Sequence, residues 1–225
     1  MQLSEFINKG ILSTNTTTRE KAFESVNSRF VVVVMLVLSA FIAVDRIYTP
    51  EVPINVDPAS YAVVSHELLN GKNLYTDIWD HKPPAPFVTY ALAEIAFGYS
   101  PQTLRILNFI VSLIVLWGIF LAAKHGLGGR RAGLVAAFLW AIVSGSVGLE
   151  GRDANTEPFI DAFVVFAFYL IVANRKNGLS FLISFVVGLL FFCASLYKPV
   201  VAANVVLITL AYFAVAENRK RAIYN

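Results

Sequence analysis

Long stretches without a single charged residue constrain this chain more than any motif in it. Residues 30–44, 106–123, 132–149, 177–197 and 199–216 contain no Asp, Glu, Lys or Arg. A shorter run, 162–174, reaches comparable length once 158–161 is added. A helix rises about 1.5 Å per residue, so roughly 20 apolar residues match a hydrocarbon layer about 30 Å thick. Composition agrees: 57% of residues are hydrophobic, 15% are charged and the mean hydropathy is +0.65. Soluble domains carry about 25% charged residues, so an ordinary soluble enzyme or binding domain is excluded. The expected fold is an all-α integral membrane domain of six transmembrane helices.

The spans fall at about 30–48, 105–123, 132–149, 158–174, 177–197 and 199–216. The polar segment 1–29 is too long for the n-region of a signal peptide, so the first span reads as uncleaved. With the N-terminus inside, twelve of the eighteen Lys and Arg residues lie on the inner side, and only Arg46, Lys72, Lys82, Arg105, Arg152 and Lys198 lie outside. The positive-inside rule favours that orientation. The expectation is a multi-pass plasma (inner) membrane protein with both termini cytoplasmic. It has a cytoplasmic segment 1–29, a membrane domain 30–216 with a long outer loop 49–104, and a cytoplasmic tail 217–225. Residues 87–97 are apolar but too few to cross, and they include Glu94. They are expected as an interfacial helix on the outer surface. The sequence pI near 9.0 reflects basic residues at span ends, so no nucleic-acid partner is expected. The single Cys193 lies within a span and leaves no disulfide framework.

Eleven of the fifteen carboxylates fall on the outer side. Acids barely influence topology, so this asymmetry needs another cause. A solvated loop is one, but three groups suggest chemistry. In Asp57-Pro58-Ala59-Ser60-Tyr61, Asp57 suits a helix N-cap, Pro58 the first helical position, and Asn70-Gly71 a stop. Tyr61, Val64 and Leu68 then share one face. Asp57 is explained by capping alone, yet a cap also holds a carboxylate at a fixed place beside the membrane. The second group is Tyr75-Thr76-Asp77-Ile78-Trp79-Asp80-His81-Lys82-Pro83-Pro84. It reads either as an interfacial turn with belt aromatics or as a phosphate-binding segment stiffened by two prolines. Asp80 and His81 are also potential ligands, so a divalent metal is conceivable, though no cofactor is specified. The third is the short outer loop 150–157, with Arg152 within it, Glu157 opening a span and Asp161 one turn deeper. Ionisable residues at that depth usually face a cavity or a partner. Lys198, between the last two spans, fits simple snorkelling.

The ordered set resembles the glycosyltransferase C (GT-C) superfamily. It consists of one span, an outer-loop Asp57 followed by Tyr61, the Lys82-Pro83 motif before an interfacial helix, and Glu157-Pro158-Phe159 opening a later span. The resemblance is strongest to the protein O-mannosyltransferase-like branch that includes the lipid A aminoarabinose transferases, and it covers about 30–216. It implies a transferase that uses a polyprenyl-phosphate-linked sugar at the outer membrane face, among membrane lipid. Asp57 matches the family's first-loop acid and Lys82 the lysine that contacts the lipid phosphate. Glu157 matches the second-loop acid, and Lys198 a lysine at the outer end of span five. On this reading Asp57 and Glu157 are catalytic, and Tyr61, Asp80, His81, Lys82, Arg152 and Lys198 bind substrate. Two departures stand out: Pro58 occupies the place of a second acid, and His81 a position that is acidic in the aminoarabinose branch. Relatives continue with further spans, so the resemblance implies a fragment, an inactive remnant, or a split enzyme completed by a second polypeptide. Two rivals stay open. A lipid-linked-sugar transporter would favour discontinuous mid-membrane helices and inverted repeats. A non-catalytic partner would bind the lipid phosphate without turnover.

Overall fold

A computed structural model describes residues 26–47, 53–145, 153–175 and 177–215. The described residues form helices throughout: α1 (Ser28–Ile47), α2 (Val56–Leu69), α3 (Ala85–Phe97), α4 (Pro101–Gly126), α5 (Arg130–Val143), α6 (Thr156–Ala173), α7 (Phe181–Ser195) and α8 (Val201–Val215). Three of them, α1, α4 and α6, are long and apolar enough to cross a membrane. The other three expected spans are also apolar helices, α5 with 14 residues and α7 and α8 with 15 each. This is an all-α membrane fold, with α2 and α3 occupying the long loop between the first two crossing helices.

Helix boundaries differ from the uncharged runs wherever caps decide them. Helix α4 starts at Pro101, four residues before the expected span, because Ser100 caps it and accepts from the Thr103 amide at 3.2 Å. Proline suits that first turn, where no amide donor is needed. Helix α7 starts only after Ser180, since the uncharged residues before it include Gly178 at φ 79°. Apolar sequence alone does not separate helix from apolar turn. Asp57 is not the N-cap of α2. Asn55 takes that role, accepting from the Val56 amide at 2.8 Å, and Asp57 and Pro58 lie within the first turn. The first turn tolerates proline at any of its positions because its amides lack intrahelical acceptors. The expected stop holds, with Asn70 as C-cap and Gly71 at φ 91°.

Helix α4 is central and packs on α1, α3, α5 and α6. It closes on α6 at Gly118, where a Cβ would collide with the Val165 side chain. It closes on α5 at Gly133, where a Cβ would meet the Phe120 carbonyl at 2.7 Å. Helix α1 buries Val31, Met35, Leu38 and Ile42 along one stripe and exposes Val33, Leu36, Val37 and Phe41 on the others. A helix apolar on all faces, buried on one, belongs in lipid.

Contacts between helix ends show which ends lie together. Arg46, in the last turn of α1, donates to Asn108 near the start of α4 and to Ser144 at the end of α5. Tyr90 of α3 donates to the Ala154 carbonyl just before α6, and the Ala85 amide to the Leu196 carbonyl just after α7. At the opposite end, Arg130 reaches the Val26 carbonyl and Arg175 the Gly126 carbonyl. Successive crossing helices therefore alternate in direction. Among the described residues, all carboxylates belong to segments at the first end, whereas Arg29, Lys124, Arg130, Arg131 and Arg175 gather at the other.

Candidate active site at the acidic end

The site begins with α2. Tyr61, Val64 and Ser65 are buried against α3, and the Ser65 hydroxyl donates to the Phe87 carbonyl at 2.9 Å. The buried Tyr61 ring sits edge-on to Phe87 and Tyr90, with centroids 5.9 and 5.8 Å away. Its hydroxyl donates to Asp57 Oδ2 at 3.3 Å, one helical turn back. Burial is the largest of the effects that push the Tyr61 phenol above its ordinary value, followed by the charge and hydrogen bond of Asp57. The charges of Asp80 and Glu157 add to the shift. Three carboxylates from three separate segments thus bear on one phenol.

The second segment is a tight loop. Asp77 Oδ2 accepts from the Asn73 amide at 2.8 Å and from its side chain at 3.0 Å, and these bonds hold the carboxyl below the usual range. Tyr75 adopts φ 72°, a left-handed conformation uncommon for a bulky side chain. It is fixed by its amide, which donates to the Ile78 carbonyl at 2.7 Å, and by its hydroxyl, which donates to the Lys82 carbonyl at 2.7 Å. The Lys82 amide donates to Asp80 Oδ1 at 2.8 Å. The backbone at Lys82 is therefore held from both sides, while its ammonium enters no ion pair among the described residues. His81 is largely exposed, with Nδ1 at 3.5 Å from Asp80 Oδ1. No group of three or more His, Cys, Asp or Glu side chains suited to a metal ion is assembled among the described residues.

The third segment joins α6 to α7. Asn155 caps α6 and accepts from the Thr156 amide at 2.7 Å. Glu157, in the first turn, accepts from the Thr156 hydroxyl at 3.2 Å and forms an ion pair with Lys198. Lys198 is thus a partner of Glu157 rather than a side chain that merely snorkels. Phe159 stacks on Tyr197 at 5.3 Å and 13°, which locks the start of α6 to the end of α7. The Ala85 amide, three residues beyond Lys82, donates to the Leu196 carbonyl two residues before Lys198. The structure thus gathers Asp57, Tyr61, Asp80 and Glu157, pairs Lys198 with Glu157, and anchors the Lys82 backbone nearby. His81 turns only toward Asp80. Arg152, like Glu51 and Glu150, lies outside the described residues.

Sequence reasoning missed the aromatic layer of Phe87, Tyr90, Phe159 and Tyr197. Its signal was the recurrence of aromatics at positions 87 and 90 of a short helix. It also missed Arg46, counted only as an outer charge. Arg46 is 3% exposed and is held by Asp45, Asn108 and Ser144.

No curated protein and no solved structure matches the chain. The sequence model of the dolichyl-phosphate-mannose-protein mannosyltransferase family matches residues 80–225, well over half of the chain. The match takes in Asp80, Lys82, Glu157 and Lys198, while Asp57 and Tyr61 precede it. With these residues at one end of an all-helical membrane bundle, the chain belongs to the dolichyl-phosphate-mannose-protein mannosyltransferase family, glycosyltransferases of GT-C type that draw on lipid-linked sugar donors.

Proposed function

We propose that this chain carries the reaction centre of a transferase that moves a sugar from a polyprenyl-phosphate donor to a hydroxyl acceptor at the outer membrane face. The observation that carries this reading is that one end of the bundle holds the Asp57–Tyr61 hydrogen bond, the Glu157–Lys198 ion pair and the Asp80–Lys82 loop, the last tied to the chain beside Lys198 through the Ala85 amide. A centre that joins a hydroxyl to a phosphate-activated sugar needs a proton acceptor on one side and fixed cations on the other. Asp57 accepts the proton of the acceptor hydroxyl as its oxygen forms a bond to the anomeric carbon. The bond from that carbon to the phosphate oxygen breaks with its electron pair, and polyprenyl phosphate departs. Lys82 meets the charge gained by the leaving phosphate. Attack opposite the departing phosphate inverts the anomeric carbon, as family analogy implies.

Glu157 and Lys198 complete the wall facing the sugar, and Tyr61, held neutral by burial and by the surrounding acids, supplies a hydroxyl that orients Asp57. The excess of basic residues at the opposite end of the bundle supports placing that end, and both termini, on the cytoplasmic side. The test is binding of dolichyl phosphate by the whole chain in lipid nanodiscs. Lys82→Ala should weaken binding about ten-fold or more, the scale of one lost hydrogen bond to a charged group, and the loss should grow as salt is lowered. Unchanged affinity would remove Lys82, and with it the donor-phosphate assignment.

A further inference from the structure

Adjacent residues of α3 bond to the chain close to each member of the Glu157–Lys198 pair. Thr89 Oγ1 shares a hydrogen bond with the Tyr197 hydroxyl at 2.5 Å, one residue before Lys198. The Tyr90 hydroxyl donates to the Ala154 carbonyl, three residues before Glu157. Neither bond is a loose surface contact: Tyr90 is 2% exposed, Ala154 3% and Tyr197 6%. The ring of Tyr90 also lies edge-on to Phe159, and Phe159 stacks on Tyr197, so the same two attachment points are joined by an aromatic bridge. At its start the helix is fastened a third time, by the Ala85 amide to the Leu196 carbonyl, directly after the Lys82-Pro83-Pro84 segment. One short helix therefore follows directly on Lys82-Pro83-Pro84 and, one turn on, grips the chain beside Lys198 and near Glu157.

A helix that served only to lie on the membrane would need its apolar outer face and nothing more. That face exists, with Val88, Leu92 and Ile95 all exposed. Thr89 and Tyr90 point away from it and spend their hydroxyls on two segments far apart in sequence, the entry to α6 and the exit of α7. Buried polar groups are placed where they find partners: the buried Tyr90 hydroxyl finds the Ala154 carbonyl, and the half-buried Thr89 hydroxyl pairs with that of Tyr197, each a few residues or fewer from a member of the ion pair. We infer that Thr89 and Tyr90 are positioning residues that set the mutual placement of Glu157 and Lys198 relative to Lys82. This deepens, and rests on, the donor-phosphate reading above.

The test uses near-isosteric changes in the whole chain in nanodiscs. Tyr90→Phe keeps the ring and loses the hydroxyl, and Thr89→Val does the same for Thr89. Thr89→Ser restores the hydroxyl and is the rescue control. Hydrogen exchange is followed in peptides covering 154–160 and 195–203, and affinity is measured for dolichyl phosphate. Tyr90→Phe should speed exchange in the first peptide, Thr89→Val in the second, and each should weaken dolichyl phosphate binding about five-fold, the scale of one hydrogen bond. Thr89→Ser should behave as wild type in both. Unchanged exchange, faster exchange spread evenly over all helices, or local loosening without loss of affinity would each overturn the inference. If wild type itself binds no dolichyl phosphate, the donor-phosphate reading fails instead, and the exchange pattern alone decides whether the two hydroxyls hold the pair.

Discussion

Removing the Arg46 guanidinium is the most telling perturbation of the bundle itself. Arg46 lies in the last turn of α1, buried to 3% exposure, and ion-pairs with Asp45. Its Nε donates to Asn108 Oδ1 at 3.2 Å, and Nη2 donates to the Ser144 carbonyl at 2.8 Å and hydroxyl at 3.2 Å. One side chain thereby ties α1 to α4 and α5. Arg46→Met keeps the length and apolar stem but takes the cation from Asp45 and the donor from Asn108 and Ser144. Breaking a buried ion pair by deleting one partner destabilises by about 3–5 kcal/mol. The lower figure applies because the Asp45 side chain retains 13% exposure and Asn108 keeps its bond from Ser112 at 3.0 Å. For a chain of this size about 3 kcal/mol corresponds to a midpoint lowered by roughly 6–12 °C. Fluorescence-detected thermal unfolding in one detergent measures it. The double variant Asp45→Asn/Arg46→Met should recover most of the loss, since the uncompensated charge goes with its partner. A single variant within about 2 °C of wild type, less than 1 kcal/mol on the same scale, would refute the clamp.

Two further outcomes follow from the packing and the ends of the bundle. Gly133→Ala should destabilise by about 1–3 kcal/mol, because its Cβ would meet the Phe120 carbonyl, which cannot rotate away. Gly188→Ala, with nothing within 4 Å, should match wild type or exceed it in the same thermal assay. For orientation, cysteines in a Cys193→Ala background are best placed at Trp79, 76% exposed, and Leu127, 74% exposed. Ala154, though in the loop before α6, is buried and would be a poor reporter. A membrane-impermeant thiol reagent added to intact cells should label position 79 and not 127, and the reverse pattern would invert the bundle.

The helical membrane class was legible because water-free burial of backbone forces long uncharged runs, and the runs are plain in the sequence. The short helix α3 was legible too, as an apolar stretch too brief to cross that carries Glu94. Boundaries were less so. Asn55 and Asp57 are both good caps two residues apart, and only the fold shows that Asn55 wins and that Asp57 is left with its carboxylate turned to Tyr61. Individual candidate acids could be named from spacing and resemblance, but their meeting could not. The pairing of Lys198 with Glu157, 41 residues earlier, depends on α6 and α7 running side by side, and the role of Tyr90 depends on where α3 docks. Arg46 was hidden for a different reason: an arginine at a span end usually reports topology, and nothing local reveals that Asn108 and Ser144 close around it.

The proposed reaction turns on Asp57 taking the acceptor's proton. Because Asn55 and not Asp57 caps α2, Asp57→Asn removes the basic carboxylate without disturbing the helix start, and Tyr61 retains an oxygen to which it can donate. The decisive measurement is turnover by the reconstituted whole chain with dolichyl-phosphate mannose as donor and a hydroxyl acceptor, alongside dolichyl phosphate affinity. Asp57→Asn should lower turnover by about 10²-fold or more, the usual consequence of losing a general base, with affinity and thermal midpoint unchanged. Turnover equal to wild type in Asp57→Asn would contradict it and leave Asp57 as no more than a hydrogen-bond partner of Tyr61.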